Sequence, residues 1–136
     1  MAGIRKKLKA IKKRLRRMVS KTPKRKFYYG FFSKYCRLRP KWVLIESFHG
    51  QTVSDSGLVL AQEIARLYPG QYRVFYATED KKKHQAFVGA AGLQVELVDV
   101  TTFRYTRILA CAKYIFSNAS LPIYFIKRPG QVYMQT

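Results

Sequence analysis

Acidic residues are missing from the first third of this chain: none precedes Glu46, whereas seventeen lysines and arginines stand between Arg5 and Lys41. Most of the formal charge of +20 on 136 residues therefore sits at one end, and from Trp42 onward ten basic residues meet seven acidic ones. Charge this one-sided speaks of partners rather than of fold. Cysteine is scarce as well. Cys36 and Cys111 lie far apart in unlike surroundings, which excludes a disulfide framework and offers no metal-ligand spacing. Cys111, between Leu109 and Ala112, reads as a small core residue and Cys36 as a plain thiol. No run of eighteen apolar residues is present to span a bilayer. Lysines and arginines interrupt the N-terminus too often for a secretory signal, so the chain is expected on the cytoplasmic side. Glycine patterns of the dinucleotide or phosphate-loop type are absent, because Gly50 and Gly57 stand alone. This segment is not expected to bind a nucleotide, a metal or a cofactor by itself.

What is present divides into a basic arm, 1–41, and a remainder, 42–136, that can build one small core. In the arm, Ile4, Leu8, Ile11, Leu15 and Met18 recur at steps of four and three, an apolar helical stripe with basic residues such as Lys12, Arg16 and Arg17 on the other sides. Like charges at these spacings repel, and such a helix frays alone in water. Thr22-Pro23 is expected to stop it. Lys24, Arg25 and Lys26 then lead into Phe27, Tyr28, Tyr29, Phe31, Phe32 and Tyr35, amphipathic rings suited to a lipid headgroup layer. An anionic membrane surface accounts for stripe and rings together. A nucleic-acid arm accounts for the charge and for stacking, but leaves the apolar stripe unused; an acidic partner protein or a solvated tail is the plainest alternative. Pro40 marks a hinge before the first strand.

The remainder alternates strand and helix. Trp42 to Ile45 is a continuous apolar run, as in a strand covered on both faces. A helix from about Leu58 to Leu67 carries Leu60, Ile64 and Leu67 on one side. Strands follow at Arg73–Ala77, Gln94–Val98 and Tyr114–Ser117, with helices at Asp80–Ala91, closed by Gly92, and at Thr101–Ala112, opened by threonine. A last extended piece runs from Gln131 to Gln135. Short alternation of this kind specifies an α/β fold, a Rossmann-like three-layer sandwich with a parallel sheet. Ligands in such folds sit beyond the carboxyl ends of the strands, which directs attention to Glu46, Ser47, Gly50, Ser54, Asp55 and Ser56 after the first strand and to Asn118 after the fourth. Ser47, His49 and Asp55 could be drawn as a triad, yet three such residues in one polar loop arise readily by chance. Asp55 or Ser56 can equally cap the next helix. His84, among lysines, is expected to be solvated.

Two stretches carry a resemblance. Val43-Leu44-Ile45-Glu46-Ser47-Phe48-His49-Gly50 with Ser54-Asp55-Ser56 is the first. The second comprises Ala112-Lys113-Tyr114-Ile115, Ser117-Asn118, Leu121-Pro122, Tyr124-Phe125, Lys127-Arg128, Gly130-Gln131 and Tyr133-Met134-Gln135-Thr136. Together they resemble the CDP-glycerol glycerophosphotransferase family, which builds or primes teichoic acid chains. The resemblance covers Trp42 to Thr136 and implies the N-terminal half of a GT-B fold, facing a teichoic acid or lipid-linked acceptor. CDP-glycerol would be held by a C-terminal domain outside this chain. In the family a Trp-His-Gly-Thr-Pro motif with a catalytic histidine follows directly, and the chain is expected to lack it. His49 falls where the family varies, so no catalytic residue is carried over. Glycerol phosphate would pass to a hydroxyl with CMP leaving, on the cytoplasmic face of the plasma membrane; nucleic acid is not the expected partner.

Overall fold

A computed structural model of the chain describes residues 2–47, 55–118, 121–122 and 124–135, with all their side chains except those of 2, 13–23, 55 and 56. In order the elements are α1 (Ala2–Tyr35), β1 (Arg39–Glu46), α2 (Asp55–Leu67), β2 (Arg73–Thr78), α3 (Lys81–Ala91), β3 (Glu96–Asp99), α4 (Phe103–Cys111), β4 (Ala112–Ser117) and β5 (Val132–Gln135). The five strands form one parallel sheet in the order β3-β2-β1-β4-β5. Strand β1 is its centre, with Val43 level with Val74 on one side and Tyr114 on the other. That position explains the unbroken apolar run. Successive side chains of a strand point to opposite faces, so Leu44 enters a core shared with α1 and α4, while Val43 and Ile45 enter a second core beneath α2 and α3. The result is the expected three-layer α/β sandwich.

Local signals act where the sequence puts them. Asp80 accepts the Lys83 N–H at 3.1 Å and Thr102 accepts the Tyr105 N–H at 3.4 Å, each satisfying a donor orphaned by a helix start. Gly92, with φ of 65°, closes α3 in the left-handed region that its missing Cβ makes accessible. The stretch Gln131–Gln135 becomes a fifth parallel strand, registered Tyr114 to Val132 through Ser117 to Gln135. Pro40, expected as a hinge, lies inside β1. It sits where the register with β4 shifts between Arg39 and Val43, a bulge at which a missing N–H is tolerated.

Four expectations are overturned by packing. Helix α1 does not stop at Thr22-Pro23 but runs on to Tyr35. An interior proline costs about 3 kcal/mol, and the turns beyond it are held by burial: Tyr28 meets the Phe103 ring at 4.1 Å, and Tyr29 and Phe32 join the core under α4. These rings were expected at a lipid surface; only Phe27, Phe31 and Tyr35 point outward. His84 is buried rather than solvated and bonds Thr78 through Nδ1, because α3 turns its His84 and Val88 side to the sheet while its lysines face water. Leu67, at the end of α2, is exposed. Cys111 is a buried core thiol as read, and Cys36 packs against the same cluster. Burial, and next the neighbouring Cys36, push the Cys111 thiol above its usual pKa.

Arg128 and Gln131 close the end of α4. Gln131 is 2% exposed, and its amide donates to the Leu109 and Ala112 carbonyls at 3.0 and 2.9 Å while its oxygen accepts the Arg128 N–H at 3.0 Å. The Arg128 guanidinium donates to the carbonyls of Ala110 and Cys36 at 2.9 and 2.8 Å. Carbonyls left over by the last helical turn are thus paired from a distant loop.

Candidate functional site

The chain winds outward from β1 to β2 and β3, then returns to the other side of β1 for β4 and β5. The point of reversal lies between β1 and β4, and it is there, past the carboxyl ends, that an open parallel sheet leaves a crevice for ligands. Glu46 ends β1 and Ser117-Asn118 ends β4, tied by the Asn118 N–H to the Glu46 carbonyl at 3.4 Å. Pleating sends Glu46 to the α4 side of the sheet with Leu44, and Ser47 to the opposite side with Ile45.

Glu46 is only 3% exposed. Its Oε1 accepts the Tyr105 hydroxyl at 3.0 Å, whereas Oε2 has no hydrogen-bond partner among the described residues. Burial raises the carboxyl pKa to about 7, against the lowering effect of the Tyr105 bond. The Tyr105 phenol is held well above its usual pKa by burial first and by the Glu46 charge second. Tyr124 is pushed to about 12 by burial, opposed by the nearby Arg25. These groups line a cavity of about 380 Å³ with Val100, Leu121 and Pro122 as its apolar wall. A carboxyl poised near neutrality can accept a proton from a hydroxyl or donate one, and a guanidinium at the rim can meet an anion.

The residues grouped by sequence are thereby separated. Glu46 and Asn118 come together at the crevice. Ser47 is buried on the far face, its Oγ 2.6 Å from the Tyr76 hydroxyl, where it ties β1 to β2. Gly57 allows α2 to lie on that pair: a Cβ there would stand 2.6 Å from the Tyr76 oxygen and 2.8 Å from Ser47 Oγ. Asp55 and Ser56 form the first turn of α2, their side chains outside the described residues, as are Gly50, Ser54 and His49 altogether. Of the membrane-directed residues, Ile4, Leu8, Ile11, Lys12, Lys24 and Lys26 are exposed and Arg25 is half-buried at the cavity rim; the side chains of Leu15, Arg16, Arg17 and Met18 lie outside the description. Tyr105 and Tyr124 escaped sequence reading. One signal was there: a tyrosine on the apolar side of α4, whose buried hydroxyl needs a partner.

A wider depression of about 790 Å³ over the start of α3 is lined by exposed charges, including Glu79, Asp80 and Lys81, with no buried polar group. Among the described residues no three histidine, cysteine or carboxylate side chains gather to hold a metal ion. No described helix is long and apolar enough to cross a membrane.

Known proteins share this fold. The chain is 29% identical over 113 residues to the teichoic acid poly(glycerol phosphate) polymerase of Staphylococcus epidermidis, covering 83% of this chain and 15% of that protein. The solved wall teichoic acid polymerase TagF, in a histidine-to-asparagine variant, superposes with a TM-score of 0.72 at 26% identity, over 98% of this chain and 30% of TagF. TagF without a stated substitution gives 0.68 at 24%, a likeness of fold. The chain thus spans less than a third of the length of the relatives it matches. The sequence profile described as CDP-Glycerol:Poly(glycerophosphate) glycerophosphotransferase matches residues 28–136, beginning within α1 at Tyr28 and including the strands, Glu46, Tyr105 and the Arg128-Gln131 closure, and it is to this family of transferases that the chain belongs.

Proposed function

We propose that this chain is the acceptor-side lobe of a peripheral-membrane glycerophosphotransferase. The reaction moves glycerol phosphate from CDP-glycerol to a hydroxyl of a membrane-attached teichoic acid acceptor. The hydroxyl oxygen attacks the glycerol-bearing phosphorus, the bond to the CMP oxygen breaks, and the hydroxyl proton leaves to a base. CDP-glycerol and that base belong to a second domain outside residues 1–136. The observation that carries the reading is a family match over 28–136, a span that includes Glu46, Tyr105 and Tyr124 of the cavity at the strand reversal.

Helix α1 supplies the membrane contact in this reading. Ile4, Leu8 and Ile11 are 65, 53 and 54% exposed, and Phe27, Phe31 and Tyr35 form a second outward patch between Lys26 and Lys34. Exposed apolar side chains among cations match an anionic leaflet, where each basic residue near the surface contributes about 1 kcal/mol at modest salt. The surface concerned is the cytoplasmic face of the plasma membrane.

Two measurements test the proposal. Sedimentation with anionic vesicles retains the chain, neutral vesicles do not, and Leu8→Glu with Ile11→Glu abolishes retention; tight single-stranded RNA binding without vesicle binding overturns the membrane assignment. Incubated with CDP-glycerol and a lipid-linked acceptor, the chain releases no CMP unless a C-terminal domain of a relative is added. Turnover by residues 1–136 alone sinks the division of labour between lobes.

A further inference from the structure

The oxygen Glu46 Oε2 is the one polar atom at the crevice that the fold buries and leaves without a partner among the described residues. An orphaned buried acceptor is costly unless something else meets it. Its surroundings restrict what that something can be. Around it stand two phenols, Tyr105 and Tyr124, one guanidinium, Arg25, and a short apolar wall of Val100, Leu121 and Pro122. The cavity, about 380 Å³, lies near the small end of the range that holds small molecules, about 300–1,000 Å³.

A bare phosphate could meet Arg25 but would bring a second negative charge toward the Glu46 carboxylate. A bare polyol could meet Glu46 but would leave the guanidinium to water. A ligand with a hydroxyl at one end, a phosphate at the other and a short carbon chain between them meets both groups and lays its carbons on Leu121 and Pro122. We infer that the cavity is a binding site for one glycerol phosphate unit, its hydroxyl held at Glu46 Oε2 beside Tyr105 and its phosphate at Arg25. This deepens the acceptor-side reading above and rests on it. Glu46 is here a positioning residue that sets the depth of the unit, and Arg25 fixes its polarity. The unit can come from a soluble poly(glycerol phosphate) chain or from the headgroup of phosphatidylglycerol; both present the same chemistry.

The test titrates the whole 136-residue chain by calorimetry with sn-glycerol 3-phosphate and, separately, with inorganic phosphate. Glycerol 3-phosphate is expected to bind at least tenfold more tightly. The pair Glu46→Leu with Tyr105→Phe replaces both hydrogen-bonding partners by apolar groups of similar shape, which folds tolerate better than loss of one partner. It should reduce glycerol 3-phosphate affinity tenfold or more and leave inorganic phosphate bound at least as tightly as before, since the repelling carboxylate is gone, whereas Arg25→Gln should weaken both. Leu121→Trp, which fills the cavity from its wall, should abolish both and guards against misfolding of the first pair. Wild-type affinity no better for glycerol 3-phosphate than for phosphate, or a double variant that binds as wild type does, overturns the assignment. Soluble oligo(glycerol phosphate) and phosphatidylglycerol vesicles, each titrated against both proteins, identify the source as the one whose binding the double variant loses. Failure here, with the vesicle and CMP-release experiments behaving as described, removes only the cavity assignment. Failure of those experiments with the titrations intact removes only the transferase reading.

Discussion

Ser47 Oγ and Tyr76 Oη lie 2.6 Å apart where β1 meets β2, and Gly57 of α2 stands over them so closely that a Cβ would come within 2.6 Å of the same Tyr76 oxygen. The glycine is required for approach, since its φ is not in the left-handed region. Gly57→Ala should therefore cost about 1–3 kcal/mol through overpacking. Gly89, exposed in α3 with nothing within 4 Å of a built Cβ, should respond oppositely, gaining up to about 1 kcal/mol from helix propensity. Urea midpoints of the two variants check this, and equal shifts of the same sign would refute the packing argument.

The Tyr29 hydroxyl donates to the Ile126 carbonyl at 2.7 Å and accepts the Ile126 N–H at 3.1 Å. It pins the last turns of α1 to the chain that follows β4. Tyr29→Phe leaves two backbone groups to be met by water and should lower stability by about 1–2 kcal/mol. Tyr35→Phe, on a ring 66% exposed, should change it by less than about 0.5 kcal/mol. Vesicle binding by the Tyr29 variant should match the wild type, because that buried change touches neither the exposed cations nor the outward rings.

Gln131 satisfies three backbone groups from a buried position. Gln131→Ala should cost about 2–4 kcal/mol, the sum of desolvated groups losing partners. Gln131→Glu is the sharper probe. A carboxylate can still accept the Arg128 N–H but has nothing to donate to Leu109 and Ala112, so it should be at least as destabilising despite its equal size. Thermal melts of the two variants decide; a glutamate variant as stable as wild type would mean the amide is dispensable.

The fold was legible wherever a short-range signal coincided with the long-range outcome. Val43 to Ile45 is apolar because both faces of β1 are covered, and Asp80, Thr102 and Gly92 cap their helices by bonds to residues three or four positions away. Where distant contacts decide, the sequence misled. Proline at position 23 does stop helices in isolation, but Tyr29 and Phe32 find a core supplied by α4 some eighty residues later in the chain. His84 sits beside three lysines, and only the rotation of α3 onto the sheet shows which side is dry. Glu46 and Ser47 are neighbours in one polar run, yet pleating sends them to opposite faces. Tyr105 had no local pattern to mark it as the partner of Glu46, fifty-nine residues away.

Stability should fall as pH rises through the acidic range, and the slope should belong to Glu46. Its carboxyl has an ordinary pKa of 4.5 and is raised by burial to about 7 in the folded chain. Below about pH 4.5 it is protonated folded or unfolded, and contributes no pH dependence. Between these values the unfolded chain has given up the proton that the folded chain keeps, so each pH unit lowers stability by about 1.4 kcal/mol, roughly 3 kcal/mol across the window, and above about 7 the penalty is constant. The groups packed around it oppose this only in part: Tyr105 stabilises the charge by its bond, and Tyr124 stays neutral with a pKa near 12, which leaves burial dominant. Glu46→Gln keeps the size and removes the titration. Denaturation at about pH 5 and about pH 8 should show the glutamine variant gaining on wild type by roughly 3 kcal/mol between the two, a difference that cancels every other titrating group. A constant gap would mean that Glu46 ionises at its ordinary pKa, and that water or counter-charge reaches the crevice more freely than its 3% exposure implies.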